Sequence, residues 1–236
     1  MSRVSRGLAQ KGHQITIVST QIVRVQGCKS ITLGFSLPIL PVLDYLPNEF
    51  NRKSVWKMGY KEAQGVIKVV TRTLRPLVKR FDMIFAHHVN ITSIIAQRLG
   101  EEYNIPVVTM VHGSELKRWK QIDQKLQNEI KGSLIKTEGI MIPSDAIATQ
   151  LKEQIPALLD ENLIVIPCVD YDTQLLPILE EFFLSIKEFY QPPKERPFYQ
   201  TLTERSLNVL IFSLLMLKKQ GRYVKNELLN MMEKEK

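Results

Sequence analysis

Cysteine is scarce in this chain. Its two cysteines, Cys28 and Cys168, lie far apart, which excludes a disulfide framework and fits a reduced cytosol. Long apolar runs are missing as well. Leu37 to Leu46 carries Pro38, Pro41 and Asp44, and Leu207 to Leu217 is broken by Asn208 and Ser213. Neither is long enough to span a bilayer. Met1 leads into a polar, basic stretch, unlike a secretory signal, so the Asn90-Ile91-Thr92 sequon reads as chance. There is no P-loop, no G-x-G-x-x-G and no Ser-His-Asp order, which removes the common signatures of nucleotide hydrolysis, dinucleotide binding and serine-type catalysis. No Cys/His/carboxylate spacing suggests zinc. His87 and His88 are adjacent, and in a regular strand adjacent side chains point to opposite faces. No metal and no cofactor is therefore expected.

What is present is ordinary in bulk. The 236 residues are 44% hydrophobic and 24% charged, the balance of a soluble globular protein with one large or two small domains. The formal net charge is +8. A basic balance suits nucleic acid, an anionic membrane surface or phosphorylated ligands. The lysines and arginines are dispersed rather than clustered with aromatics, which argues against nucleic acid. An anionic membrane surface stays open as a partner, so the expected location is the cytoplasm, with peripheral contact at the inner face of the membrane.

The chain is organised around Phe81 to Leu116, FDMIFAHHVNITSIIAQRLGEEYNIPVVTMVHGSEL. Asp82 to Ala86 is a short apolar run that stops at His87-His88. Ile91, Ile94, Ile95 and Leu99 recur at helical spacing. Gly100 and Pro106 punctuate, and the β-branched run Val107 to Val111 stops at His112-Gly113-Ser114-Glu115. This is strand, loop, helix, strand, loop. Both strands are apolar throughout, as in a buried parallel sheet, so both histidine-bearing ends emerge on one edge.

The flanking segments extend the alternation. Met1 to Gly12 reads as helix and Ile15 to Val18 as strand. Ile31 to Leu33 reads as a short strand, followed by a proline-rich connection. Val55 to Arg80 and Trp119 to Lys136 read as helices. Gly139 to Ile142 is a strand, Ser144-Asp145 caps a helix over Ala146 to Gln154, and Asn162 to Ile166 is a further strand. The fold class is α/β: a Rossmann-like, mainly parallel sheet with helices on both faces, followed by a mostly helical C-terminal segment. In such sheets ligands bind outside the carboxyl ends of the strands. His87, His88, His112, Gly113, Ser144 and Asp170 all fall at such ends. In a doubly wound sheet a strand and a glycine-containing turn normally precede the first helix. Neither precedes Met1 to Gly12, so the start reads as truncated. Beyond Asp170 no β/α alternation continues. The expected domains are 1–170, Rossmann-like, and 171–236, mostly helical.

These residues carry a resemblance. Gly12 to Ser19, GHQITIVS, resembles the GHEVTVVT segment of family 4 glycosyltransferases, the retaining enzymes of GT-B fold. Phe81 to His88 resembles their DVIHAHH strand, and Pro106 to Glu115, PVVTMVHGSE, resembles PVVVTVHGSD. Ser144 and its helix match a further segment. Ile164 to Asp170, IVIPCVD, is similar to VIPNGVD, with Cys168 and no glycine where the family has Asn-Gly. The resemblance covers about residues 1 to 170. It implies an acceptor-binding N-terminal domain facing a donor-binding domain, and transfer of a sugar from a nucleotide diphosphate sugar to a hydroxyl acceptor, lipid-linked or polysaccharide. It implies His112 as the catalytic residue, against the sugar or its phosphate. His87, His88, Gly113, Ser114, Ser144 and Asp170 would contact substrate.

The same resemblance marks departures. Leu176 to Glu188, LPILEEFFLSIKE, is similar to the donor motif LPSLxEGFGLSxLE. Glu180 and Glu188 keep its E-x7-E spacing and would hold the ribose and the reacting sugar. Glu181 and Phe183 replace two glycines that let backbone approach a ligand. The nine residues between Asp170 and Glu180 are too few for the intervening strands, so the donor domain reads as internally deleted. The GRL…KG Arg/Lys pair that neutralises the diphosphate is not found. The expectation is a glycosyltransferase-like chain impaired in isolation, or a non-catalytic remnant or split-enzyme subunit needing a complementing domain. His13 is expected to pack the sheet, and Lys117, Arg118 and Lys120 to form a solvated helix face.

Overall fold

A computed structural model of the chain describes residues 2–19, 26–32, 58–166 and 208–213. In order these form α1 (Ser2–Gln10), β1 (Gln14–Ser19), β2 (Cys28–Thr32), α2 (Tyr60–Val78), β3 (Met83–Ala86), α3 (Ile91–Tyr103), β4 (Val107–Met110), α4 (Gly113–Arg118), α5 (Gln124–Ile135), β5 (Gly139–Ile142), α6 (Asp145–Gln154), β6 (Leu163–Val165) and β7 (Asn208–Ser213). Single turns of tighter helix, Trp119–Gln121 and Asp160–Asn162, precede α5 and β6.

All seven strands are parallel and lie in one sheet, in the order β2-β1-β7-β3-β4-β5-β6. The alternation of side chains sorts the apolar residues onto two faces. One face joins Ile15, Ile17, Val209, Met83, Phe85, Val108, Met110 and Met141 with Leu8 of α1. The other joins Val18, Leu210, Ile84, Ala86, Val107, Ile140 and Ile142 with the apolar sides of α2, α3, α5 and α6. Helices thus cover both faces, as the pattern of the sequence requires.

The helices show why they form where they do. In α2, Ala63, Val66, Ile67, Val70, Leu74 and Leu77 make one buried stripe, the spacing of a helix lying on a sheet. Glu62 reaches back to the Gly59 backbone N–H at 3.1 Å and closes the first turn. The Asn90 side chain accepts from the Thr92 N–H at 2.7 Å and starts α3. Asn104, left-handed at φ 51°, ends it, a conformation asparagine tolerates well. Gly100 lets α3 approach the sheet. A Cβ there would stand 2.4 Å from Val107 Cγ2 and 2.7 Å from the Ile105 carbonyl oxygen. Gly100→Ala should therefore destabilise by about 1–3 kcal/mol through overpacking, despite alanine's better helix propensity. A urea midpoint equal to that of the natural chain would contradict this.

Two elements depart from the sequence reading. The helix expected from Trp119 to Lys136 is broken. Gln127 donates its side-chain amide to the carbonyls of Trp119 and Ile122, at 3.0 and 2.9 Å, and Asp123 caps a fresh helix through the Lys125 N–H at 2.9 Å. The second departure matters more. Residues 208–213, expected as part of a helix, form β7, and β7 lies inside the sheet between β1 and β3. A domain boundary at residue 170 leaves this strand on the opposite side of the cut from the sheet it completes. Val209 and Leu210 are fully buried. An apolar run this short fits either a buried strand or a buried helix, and the gap between β1 and β3 decides for the strand. The rest of 171–236 lies outside the described residues.

β7 also sets the geography of the site. From β1 the chain steps outward to β2, and from β3 it steps outward the other way to β6. The order reverses across β7, and the carboxyl ends of strands at such a reversal form a crevice. β3, which ends in Ala86, is one wall of it.

Candidate functional site

β3 and β4 are paired in register, with Ala86 opposite Thr109. Their carboxyl ends are therefore level, and the residues that follow converge. The ring centroids of His87 and His88 are 4.8 Å apart, those of His87 and His112 4.9 Å, and those of His88 and His112 5.1 Å. Three of the four histidines in the chain meet at one point. Strand alternation would have kept His87 and His88 on opposite faces, but β3 ends at Ala86, so both lie past the regular strand. One ring nitrogen from each of the three lies within 4.8 Å of the others, and among the described residues this is the one His/Cys/carboxylate group close enough to hold a metal ion.

The residue that ties the cluster together is Glu115, which sequence reasoning passed over. Its carboxylate is buried at 2% exposure. It accepts from His88 Nδ1 at 2.7 Å, from the Val89 N–H at 3.2 Å and from the His112 N–H at 2.9 Å. One side chain thus clamps the loop after β3 to the loop after β4. A signal for it existed: a glutamate three residues after His112, at the start of a helix, is the reciprocal cap of a helix N-terminus.

The partners fix the ring protons. A carboxylate only accepts, so His88 carries a proton on Nδ1, and in the neutral tautomer with that proton Nε2 is a lone pair. That nitrogen lies 3.3 Å from His87 Nδ1. His112 Nε2 lies 3.1 Å from the His87 carbonyl, so it donates, and Nδ1 of His112 is left open. Burial holds the His87 imidazole well below its ordinary pKa, helped by the neighbouring His88 and His112. Burial also lowers His112, opposed by the nearby charge of Glu115. Both rings are neutral at pH 7 and offer lone pairs rather than charge.

The remaining candidates divide. Gly113 and Ser114 open α4 beside His112. A Cβ on Gly113 would come within 3.0 Å of Ile147 Cδ1, so that glycine lets α4 pack on α6. Ser144 stands past the end of β5, and its side chain accepts from the Ile147 N–H at 3.4 Å, the helix cap read from the sequence. Lys117, Arg118 and Lys120 are exposed, and His13 is buried at the start of β1, at the opposite end of the sheet. Asp170, Glu180 and Glu188 lie outside the described residues.

A parallel sheet whose order reverses beside a polar, histidine-lined carboxyl edge is the architecture of the open α/β proteins, a class in which ligands bind outside the carboxyl ends of the strands. The family model for Glycosyltransferase Family 4 matches residues 1–169, and the chain belongs to that family. No curated protein matches it. Among the described residues no helix is long and apolar enough to cross a membrane.

Proposed function

We propose that the edge formed by His87, His88 and His112 is the acceptor-side wall of a transfer site, at which a sugar passes from a nucleotide diphosphate sugar to a hydroxyl acceptor. One observation carries this reading: in a chain of this family, the three histidines converge at the carboxyl ends of β3 and β4, beside the reversal of the strand order. His112 is the catalytic residue in this reading. Its Nδ1 is uncommitted and neutral, so it accepts a hydrogen bond from a sugar hydroxyl without the cost of desolvating a charge. His87 and His88 line the wall, and Glu115 positions them through His88.

Transfer also needs the departing diphosphate to be stabilised electrostatically. The Arg/Lys pair that does so in the family is not found after Asp170. This favours a second reading, an acceptor-side module that acts with a complementing chain, under which the isolated chain turns over slowly or not at all. The donor sugar's nucleotide, an anionic membrane surface and a lipid-linked or polysaccharide acceptor are the partners to test.

Calorimetry with a panel of nucleotide diphosphate sugars separates the two. On the first reading one donor binds, and His112→Ala weakens it about tenfold, the worth of one good hydrogen bond at roughly 1.4 kcal/mol. Binding indifferent to His112→Ala would remove His112 from the site. No heat with any donor, in a chain folded by circular dichroism, leaves the module reading.

A further inference from the structure

We propose that the outer face of α2 is a docking surface for an anionic lipid bilayer, met with the helix lying along the membrane plane. The proposal stands on where the charges of α2 and its neighbours are placed. It does not rest on what passes at the histidine edge.

α2 has 19 residues, a rod of ~28 Å. Its buried stripe, from Ala63 to Val78, faces the core along the whole length. On the opposite side Lys61, Lys68, Arg72 and Arg75 share one narrow line at helical spacing, and Lys79 continues it past the last turn. All five side chains are exposed. The segment holds a single acid, Glu62, and its carboxylate reaches back to the Gly59 N–H at 3.1 Å. The line is therefore positive from end to end. A solvated helix face normally mixes the two signs, with acids placed to pair bases one turn away.

The surroundings leave that charge uncancelled. α2 packs beside α3 and α5, and every carboxylate on those two helices already has a base. Glu102 takes Arg75 at 2.9 Å, Glu129 takes Arg98 at 3.1 Å and Glu101 takes Lys136 at 2.8 Å. Among the described residues Lys61, Lys68, Arg72 and Lys79 have no ion pair. Part of the net charge of +8 is thereby gathered on one face.

Shape selects among polyanions. α2 is embedded in a layer with α3 and α5, so it cannot enter the groove of a duplex as a recognition helix does. No aromatic side chain stands on the exposed line for bases to stack on. A broad surface of negative headgroups needs neither. It favours each nearby lysine or arginine about fivefold in binding, so four unpaired bases give several hundredfold over a neutral surface. The apolar side of α2 is occupied by the core, so the contact is electrostatic and no side chain of the helix inserts.

The test is sedimentation of the full chain with vesicles of equal parts phosphatidylglycerol and phosphatidylcholine, against phosphatidylcholine alone, with no sugar donor or acceptor present. The expected result is binding to the anionic vesicles only. It should be lost in about 1 M sodium chloride, where the screening length falls to ~3 Å from ~10 Å at 0.1 M. The triple variant Lys61→Gln, Lys68→Gln, Arg72→Gln should lower binding about a hundredfold, at roughly fivefold per base, and keep the natural urea midpoint. Lys117→Gln, Arg118→Gln, Lys120→Gln removes the same charge from a different exposed face and should cost less than about fivefold. A second readout needs no variant: bound vesicles should shield Lys61 and Lys68 from amine acylation and leave Lys117 and Lys120 open. No binding to anionic vesicles, binding indifferent to salt, equal losses in the two triple variants, or no shielding of Lys61 and Lys68 would each overturn the proposal. So would tighter, α2-dependent binding to a duplex or single-stranded oligonucleotide, which would make the face a nucleic-acid surface instead.

Discussion

Leu210→Asp is expected to leave the chain unfolded under conditions where the natural sequence folds. Leu210 sits in β7, opposite Thr16 of β1 and Ile84 of β3. It is fully buried in the cluster under α2 and α3. Truncating a buried leucine to alanine costs about 2–5 kcal/mol. Placing a carboxylate there adds the cost of an unpaired buried charge, against a total stability of only about 5–15 kcal/mol for a domain. The position of the strand enlarges the effect. If β7 leaves, β1 and β3 each lose a ladder of backbone hydrogen bonds, and two open strand edges invite aggregation. Leu210→Ala gives the graded version, a fall in urea midpoint without change of slope. Lys29→Ala, on the exposed side of edge strand β2, is the control and should stay within about 0.5 kcal/mol. A Leu210→Asp chain with the natural urea midpoint would show that β7 does not hold the sheet together.

How much of this was written in the sequence depends on whether local or distant residues decide. Phe81 to Leu116 was legible because each signal is local: apolar runs bounded by Gly100 and Pro106, a helical period between them, and histidines where the runs stop. The cap at Ser144 is of the same kind. β7 was not legible, because NVLIFS carries no period that separates strand from helix. Its state is set by a vacancy between two strands about two hundred and about one hundred and twenty residues earlier in the chain. The convergence of His87 with His88 was missed for a different reason. The alternation rule was applied one residue too far, since β3 stops at Ala86 and the next two side chains are free of it. The candidate site was therefore legible as an edge, but not as a cluster with a carboxylate behind it.

Glu115→Ala should be the most damaging single change at the site, costing about 3–5 kcal/mol. That is the range for removing one member of a buried, hydrogen-bonded polar set. Three groups lose their acceptor at once: the Val89 N–H, the His112 N–H and His88 Nδ1. An alanine leaves them facing a cavity, and the loops after β3 and β4 lose the tie between them. Glu115→Gln separates charge from shape. Both backbone N–H groups bond the same oxygen, Oε2, and the amide oxygen of glutamine can take them both. Its NH2 then faces His88 Nδ1, which must accept instead of donate, so the imidazole proton moves to Nε2. Most of the stability is retained, within about 1 kcal/mol, while the lone pair that pointed at His87 is replaced by an N–H. Urea denaturation reads the first effect, and nitrogen chemical shifts of the His88 ring read the second. A glutamine variant that keeps the natural His88 tautomer, or an alanine variant as stable as the natural chain, would mean that Glu115 does not organise the edge. If both effects appear together, one buried carboxylate sets the spacing of the loops and the direction in which His88 presents its nitrogen, and the chemistry of the histidine edge depends on both.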